Sequence, residues 1–178
     1  MIKYIFLSII PFIYGYELLG NYIPTNLIKT FTFCLNENKI LRETTNDVID
    51  YINDYDIFHI SLKSGYTEPV ENQINSICSI DKYRYGYYGY TSLFNTNESD
   101  IYISKELYDT PNTLFNVLLH EFVHSLGLNH TLVPSVMQYS IMIDERNNII
   151  NDRRKIYLSL DDIRGLRAIK RSIKCGIQ

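Results

Sequence analysis

Short apolar segments separated by polar turns dominate the first hundred residues of this chain. One apolar stripe recurs at helical spacing, at Val48, Ile49, Ile52 and Tyr55, and predicts a helix from Thr44 or Thr45 to about residue 54. Other segments are rich in β-branched and aromatic residues and predict five strands, at 29–35, 56–62, 73–80, the end of 83–94, and 101–104. The order β-α-β-β-β-β-α predicts an α/β layer of sheet and helix.

Two more helices are predicted in the second half. Pro111 sets the entry of the first, with Asn112 or Thr113 as its cap, and its packed side carries Leu114, Val117, Leu118 and Phe122. Ser159 is expected to cap the second, which runs from Leu160 to about Ile173. Its apolar residues recur at steps of three and four, at Leu160, Ile163, Leu166, Ile169 and Ile173.

Composition limits the class of protein and its partners. With 178 residues, 46% hydrophobic and 21% charged, the chain suits one globular domain. A formal charge of −3 without a basic run argues against nucleic acid and against acidic membrane surfaces.

The N-terminus has the pattern of a secretory signal peptide. A short positive start precedes an apolar run over 4–14, and Gly15 offers a small residue for cleavage. We therefore expect a signal peptide at 1–15 and a secreted mature domain at 16–178. The alternatives are that this segment is an uncleaved membrane anchor or a buried first strand. The apolar run over 4–14 is short for a membrane span. Three cysteines predict one disulfide and one free thiol, and the sequence leaves the pair open among Cys34, Cys78 and Cys175.

The stretch from His120 to His130 carries the chemistry, because it reads H-E-x-x-H-x-x-G-x-x-H. Residues four apart share one helix face, so His120 and His124 can point at one ion. Gly127 permits a sharp turn after the helix, which can return His130 as a third ligand. Three protein ligands plus a water are typical of a catalytic zinc site, with Glu121 placed to act on the water. The alternative is that His120 and His124 are solvent-exposed histidines without a metal. The motif argues against it, because it specifies five of its eleven positions.

These residues resemble the metzincin zinc proteases, in which a methionine turn lies beneath the metal. Met137 follows the third histidine, His130, by seven residues. This short spacing, together with Thr131 directly after His130, is most similar to the matrixins (matrix metalloproteinases). The tail from Leu158 to Leu166 is similar to the last matrixin helix. The resemblance implies a zincin fold with a twisted, mostly parallel five-stranded sheet and three helices. It also implies a zinc cleft between a larger subdomain at 16–130 and a small one at 131–178.

Further site residues follow from the resemblance. Met137 would pack under one Zn²⁺ without binding it. A substrate pocket would be bordered by Asn116 and residues 139–142. Tyr139 is either an extra zinc ligand or a wall of this pocket, and we favour the wall.

Other features depart from the matrixin pattern. The cysteine-switch propeptide is missing, so latency by that route is not expected. A second zinc is not expected either, because His59 is the only histidine outside the motif and is interpreted as a strand residue. A Ca²⁺ site built from Glu98, Asp100 or Glu106 is left open.

The sequence therefore predicts a secreted, monomeric zinc endopeptidase that hydrolyses extracellular proteins or peptides, such as those of the extracellular matrix. Glu121 would serve as base and then acid, and the substrate would lie along an edge strand near 88–94. After signal cleavage we expect no stable membrane association. The alternative is a secreted binding or decoy module that holds zinc with little turnover.

Overall fold

A single sheet of five strands organises the chain. The computed structural model describes residues 18–34, 37–67, 75–81, 88–131, 134–138 and 155–176. The strand order is β2-β1-β3-β5-β4, with β4 antiparallel to β5 and the other pairs parallel. The mostly parallel sheet is thus confirmed. Its strands are β1 (Ile28–Cys34), β2 (His59–Thr67), β3 (Ser76–Ile80), β4 (Gly89–Leu93) and β5 (Ser99–Ser104).

Three α-helices accompany the sheet, as predicted: α1 (Lys39–Asn53), α2 (Pro111–Ser125) and α3 (Leu160–Cys175). Helices α1 and α2 contact each other, and α2 also contacts β4 and β5. Phe31 of β1 meets Phe122 of α2 edge to face, with ring centroids 5.1 Å apart. Helix α2 is buried on nearly every side, which fixes it firmly against the sheet. Short 3-10 turns lie at Gly20–Tyr22, Lys105–Asp109 and Val136–Gln138.

The predicted start of α1 is wrong by nearly two turns. Asn38 caps the helix, because its side chain accepts a hydrogen bond from the backbone N–H of Ile40. Thr44 and Thr45 lie inside the helix and are buried together with Leu41. The apolar stripe therefore begins earlier than the apolar periodicity alone suggested.

The start of β2 also differs from the prediction, at His59 instead of residue 56. Asp56 has a φ of 49°, a left-handed conformation that cannot continue a strand. The Asn53 side chain then bonds both backbone groups of Ile60 at 2.8 Å, which fastens the end of α1 to the new strand.

Two details of the other helices need correction. Helix α2 begins at Pro111, so Asn112 and Thr113 lie within its first turn and do not cap it. In α3 the Ser159 cap is confirmed and forms a capping box with Asp162, but Leu160 is 72% exposed. Leu160 stands at the first position of α3, before the apolar stripe reaches the core.

The disulfide left open by the sequence joins Cys34 to Cys78, at β1 and β3, whereas Cys175 is free and exposed. No helix among the described residues is long and apolar enough to span a membrane. The predicted signal peptide at 1–15 and Tyr139 lie outside the described residues. The division into subdomains at residue 130 stays a prediction.

Candidate active site

Helix α2 and the turn after it bring the three motif histidines together. His120 and His124 lie one turn apart on α2, and the helix ends at Ser125. Gly127 follows with a φ of 98°, a left-handed conformation that reverses the chain and returns His130. The candidate ligand nitrogens of the three residues all lie within 4.8 Å of one another.

Backbone carbonyls set the protonation state of two of these rings. His120 Nδ1 lies 2.8 Å from the carbonyl oxygen of Val136, and His124 Nδ1 lies 2.8 Å from that of Leu128. A carbonyl oxygen only accepts, so each Nδ1 carries the proton and donates it. Each Nε2 is left with its lone pair directed toward the other rings, as a metal ligand requires.

The arrangement of Nε2 atoms fits one zinc ion. His130 Nε2 lies 3.1 Å from Nε2 of both His120 and His124. His130 Nε2 carries at most one proton, so it can donate a hydrogen bond to only one of these two nitrogens. In at least one of the two contacts, the nitrogen lone pairs therefore face each other. Tetrahedral zinc with bonds of 2.0–2.1 Å separates its nitrogen ligands by about 3.3 Å, close to the distances here. Burial lowers the pKa of His124 to about 3 and that of His120 in the same direction, which keeps both rings neutral.

Glu121 faces the same cleft from a buried position. Its Oε2 accepts a hydrogen bond of 2.8 Å from the hydroxyl of Thr91 on β4. Burial raises the pKa of Glu121 to about 7, although the Thr91 bond acts in the opposite direction. A carboxyl group with a pKa near neutrality is suited to both accept and return a proton.

Strand β4 approaches α2 closely because residue 89 is glycine. A Cβ at Gly89 would lie 2.5 Å from Val117 Cγ1 and 3.3 Å from Glu121 Cγ. Any larger residue would therefore displace the Val117 or Glu121 side chain or push the edge strand away from the helix.

The turn that contains Met137 lies behind the histidines. Met137 is fully buried in the core, and its neighbour Val136 supplies the carbonyl that orients His120. The backbone N–H of Val136 in turn donates to Asp162 in α3, at 3.2 Å. The Asp162 carboxylate thus both accepts from the backbone N–H of Ser159 in the capping box of α3 and holds the turn that orients His120.

An open cleft of about 350 Å³ passes over these groups. The sequence predicted four of its lining residues, the three histidines and Glu121, and also the edge strand near 88–94. It did not predict the roles of Leu19, Thr91 and Leu93. No local pattern marks these three, because each reaches the site through the tertiary fold. The described lining comprises Leu19, Gly89, Tyr90, Thr91, Leu93, His120, Glu121, His124 and His130.

The remaining predicted residues have mixed outcomes. Asn116 is buried, and its Oδ1 accepts a 2.6 Å hydrogen bond from the backbone of Ile156. Its pocket role depends also on 139–142, outside the described residues, and stays a prediction. His59 opens β2 and is exposed, consistent with a strand residue. Asp100 is buried and accepts two hydrogen bonds from Ser76, so this residue of the calcium site that the sequence left open already has structural partners.

Comparison with known proteins decides the family. The matrixin model of peptidase family M10 matches residues 46–170. The chain belongs to the matrixin family. It is accordingly a zinc metalloendopeptidase, a hydrolase of peptide bonds, which confirms the enzyme class and the metal expected from the motif.

Solved structures place this matrixin in the metzincin fold. The crystal structure of myroilysin matches with a TM-score of 0.54 at 14% identity, over 86% of this chain and 88% of that one. Archaemetzincin from Methanopyrus kandleri matches with a TM-score of 0.50 at 11% identity, over 83% and 97%. The hatching enzyme zinc-protease high choriolytic enzyme 1 from Oryzias latipes has a TM-score of 0.48 at 13% identity, over 85% and 95%.

Proposed function

We propose that this matrixin is a secreted enzyme that cleaves extracellular proteins, with one zinc ion held by His120, His124 and His130 and with Glu121 as the proton-transfer residue. The observation that carries the proposal is the meeting of three histidine Nε2 atoms, two of them left unprotonated by the carbonyls that bond Nδ1, beside a buried carboxyl group.

Glu121 moves the proton in this mechanism. Zinc, when bound, lowers the pKa of a water ligand and polarises the scissile carbonyl. Thr91 donates to Oε2 of Glu121, so we assign proton uptake from the attacking water to Oε1. The same oxygen then passes the proton to the leaving amine, which explains why a pKa near neutrality is useful.

Strand β4 is proposed to align the substrate. It lies at the edge of the sheet, where among the described residues it pairs only with β5, and four of its residues line the cleft. An extended peptide can add to such an edge through main-chain hydrogen bonds, which orients the scissile bond with little dependence on sequence. This arrangement suits an enzyme that acts on protein or peptide substrates.

Other roles extend the proposal. Met137 forms the floor beneath the metal site without binding the ion, and Asn116 borders the pocket together with 139–142. Tyr139 is proposed as a wall of that pocket, and zinc binding by its hydroxyl is the alternative. Secretion rests on the signal-peptide pattern at 1–15, and the mature enzyme is proposed to be a monomer that forms no stable membrane association. Calcium binding through Glu98, Asp100 or Glu106 stays an open alternative.

The Glu121→Ala variant tests the central assignment. We expect it to retain one zinc per chain, measured by elemental analysis, and to lose turnover of a quenched peptide and of denatured collagen by about 10²-fold or more. Glu43→Ala, which removes a glutamate whose side chain is 64% exposed, is the matched control and should leave activity unchanged.

Two outcomes would count against the proposal. Parental turnover in Glu121→Ala would remove Glu121 as the proton-transfer residue. Cleavage that is absent in the parent, or insensitive to a zinc chelator, would favour the zinc-holding binding or decoy module.

A further inference from the structure

We infer that the lead-in segment (residues 18–25) closes one end of the cleft, and that Leu19 forms with Leu93 an apolar subsite that selects an aliphatic side chain of the substrate. The inference rests on the proposed function, because it concerns the peptide that this cleft would bind.

The first part of the lead-in segment is fixed to the turn that carries the third histidine. Leu18 forms an antiparallel bridge with Leu128, and the backbone N–H of Leu19 donates to the carbonyl of Gly127 at 2.9 Å. The packing is close, since a Cβ at Gly127 would lie 2.8 Å from Pro24 Cδ. The segment therefore keeps a defined position relative to His124 and His130.

The other end of the lead-in segment is fixed to the turn between β4 and β5. The backbone N–H of Thr25 donates to Asn97 Oδ1 at 3.1 Å, and Asn97 Nδ2 donates back to the Thr25 hydroxyl. Asn97 lies four residues after Leu93, the last residue of β4. The lead-in segment thus connects the two sides of the cleft, from the metal-binding turn to the end of the edge strand.

The side chains at this end of the cleft determine what it can accept. Leu19 and Leu93 both line the cleft, whereas the neighbouring Leu18 is 39% exposed and does not. Apart from Glu121, the described lining contains no acidic or lysine or arginine side chain. Burial of each methylene group against such a surface favours binding, whereas a charged group would lose hydration without a partner. An aliphatic side chain such as leucine, isoleucine or methionine fits this chemistry.

Cleavage profiling with a peptide library tests the subsite. In Leu19→Ala we expect kcat/KM for peptides with an aliphatic residue at one substrate position to fall about five- to tenfold, with other positions unchanged. Leu18→Ala is the matched control, since it truncates the adjacent leucine of the same bridge outside the cleft, and it should leave the profile as in the parent.

A charge reversal separates selection from a loss of folding. Leu19→Glu should lose the aliphatic preference and gain a preference for lysine or arginine at that same position, which a merely destabilised protein would not show. Profiles of Leu19→Ala and Leu19→Glu that both equal the parental profile would overturn the inference.

Binding gives a readout that does not depend on turnover. Peptide hydroxamates that differ only in leucine or aspartate at successive positions serve as probes of the zinc-loaded protein. We expect one position at which leucine binds at least fivefold more tightly than aspartate in the parent, and equal binding there in Leu19→Ala. Absence of cleavage by the parent would contradict the proposed function, whereas an unchanged leucine preference in Leu19→Ala would contradict the subsite alone.

Discussion

The two halves of the proposed active site are built in different ways. The metal half, comprising the three histidines, comes from eleven consecutive residues, and one of its two orienting carbonyls belongs to Leu128 within the same stretch. The proton-transfer half depends on contacts between Glu121 and strand β4, where Thr91 and Gly89 stand about thirty residues away in sequence.

This difference means that the two halves should fail separately. A helix, a glycine turn and two carbonyls are enough to bring the Nε2 atoms together. The orientation of the Glu121 carboxyl group depends in addition on how closely the edge strand packs against α2. Substitutions at the β4 residues that contact Glu121, Gly89 and Thr91, should therefore impair catalysis while zinc binding is retained.

The largest effect is expected from Gly89→Ala. The added methyl group would lie 2.5 Å from Val117 Cγ1 and 3.3 Å from Glu121 Cγ, so either these side chains change conformation or β4 moves away from α2. Displacement of Thr91 and of the substrate-binding edge should lower kcat/KM by about 10²-fold or more, since small misplacements of reacting groups have such effects. Peptide cleavage assays and elemental analysis of bound zinc would measure the two halves side by side.

Ser92→Ala provides the control for Gly89→Ala, because it changes the same strand at a residue that does not line the cleft. It should retain parental activity. Loss of zinc from Gly89→Ala in step with its activity would show that the two halves are not separable.

The same distinction explains what the sequence could predict. The grouping of His120, His124 and His130 and the Ser159 cap follow from short-range spacing, and the structure brings these three side chains together and shows the cap. The cap of α1 was predicted wrongly at Thr44 or Thr45, because threonine is also a good capping residue and only the hydrogen bond from the backbone N–H of Ile40 identifies Asn38 as the cap. Thr91 and Leu19 carry no local signal, since their partners are distant in sequence.

A buried lysine supports the metal half and should make stability depend on pH. Lys29 Nζ donates to the carbonyl of Ser125, the last residue of α2, at 2.6 Å, and to the hydroxyl of Ser99 at 3.2 Å. Burial lowers its pKa from 10.5 to about 8. Below pH 8 the ammonium is charged in the folded and unfolded chain, so folding carries the full cost of its burial. Between pH 8 and 10.5 the folded chain loses the proton first, and this cost disappears.

Lys29→Met removes this titration. The free energy of unfolding of the parent relative to Lys29→Met should rise by about 2–3 kcal/mol as the pH increases from 7.5 to 10.5. Urea denaturation of both proteins at the two pH values measures the change. Lys39→Met, at a lysine whose side chain is 83% exposed, is the control and should show no such dependence. A difference between parent and Lys29→Met that stays constant with pH would mean that Lys29 is not desolvated.

The smallest effect is expected at Thr91, whose hydroxyl contacts only Glu121 among the described residues, at 2.9 Å from its backbone carbonyl and 2.8 Å from Oε2. Thr91→Val keeps the shape of the side chain but removes the hydroxyl that donates to Glu121 Oε2 at 2.8 Å. The carboxyl group then loses a fixed orientation, and we expect kcat/KM to fall about tenfold, the order of one hydrogen bond to a charged group. Thr91→Ser retains the hydroxyl and should recover most of the activity, with bound zinc unchanged in both variants. Equal activity in the valine and serine variants would mean that the Thr91 hydroxyl does not orient Glu121, and that close packing against Gly89 is sufficient to position this side chain.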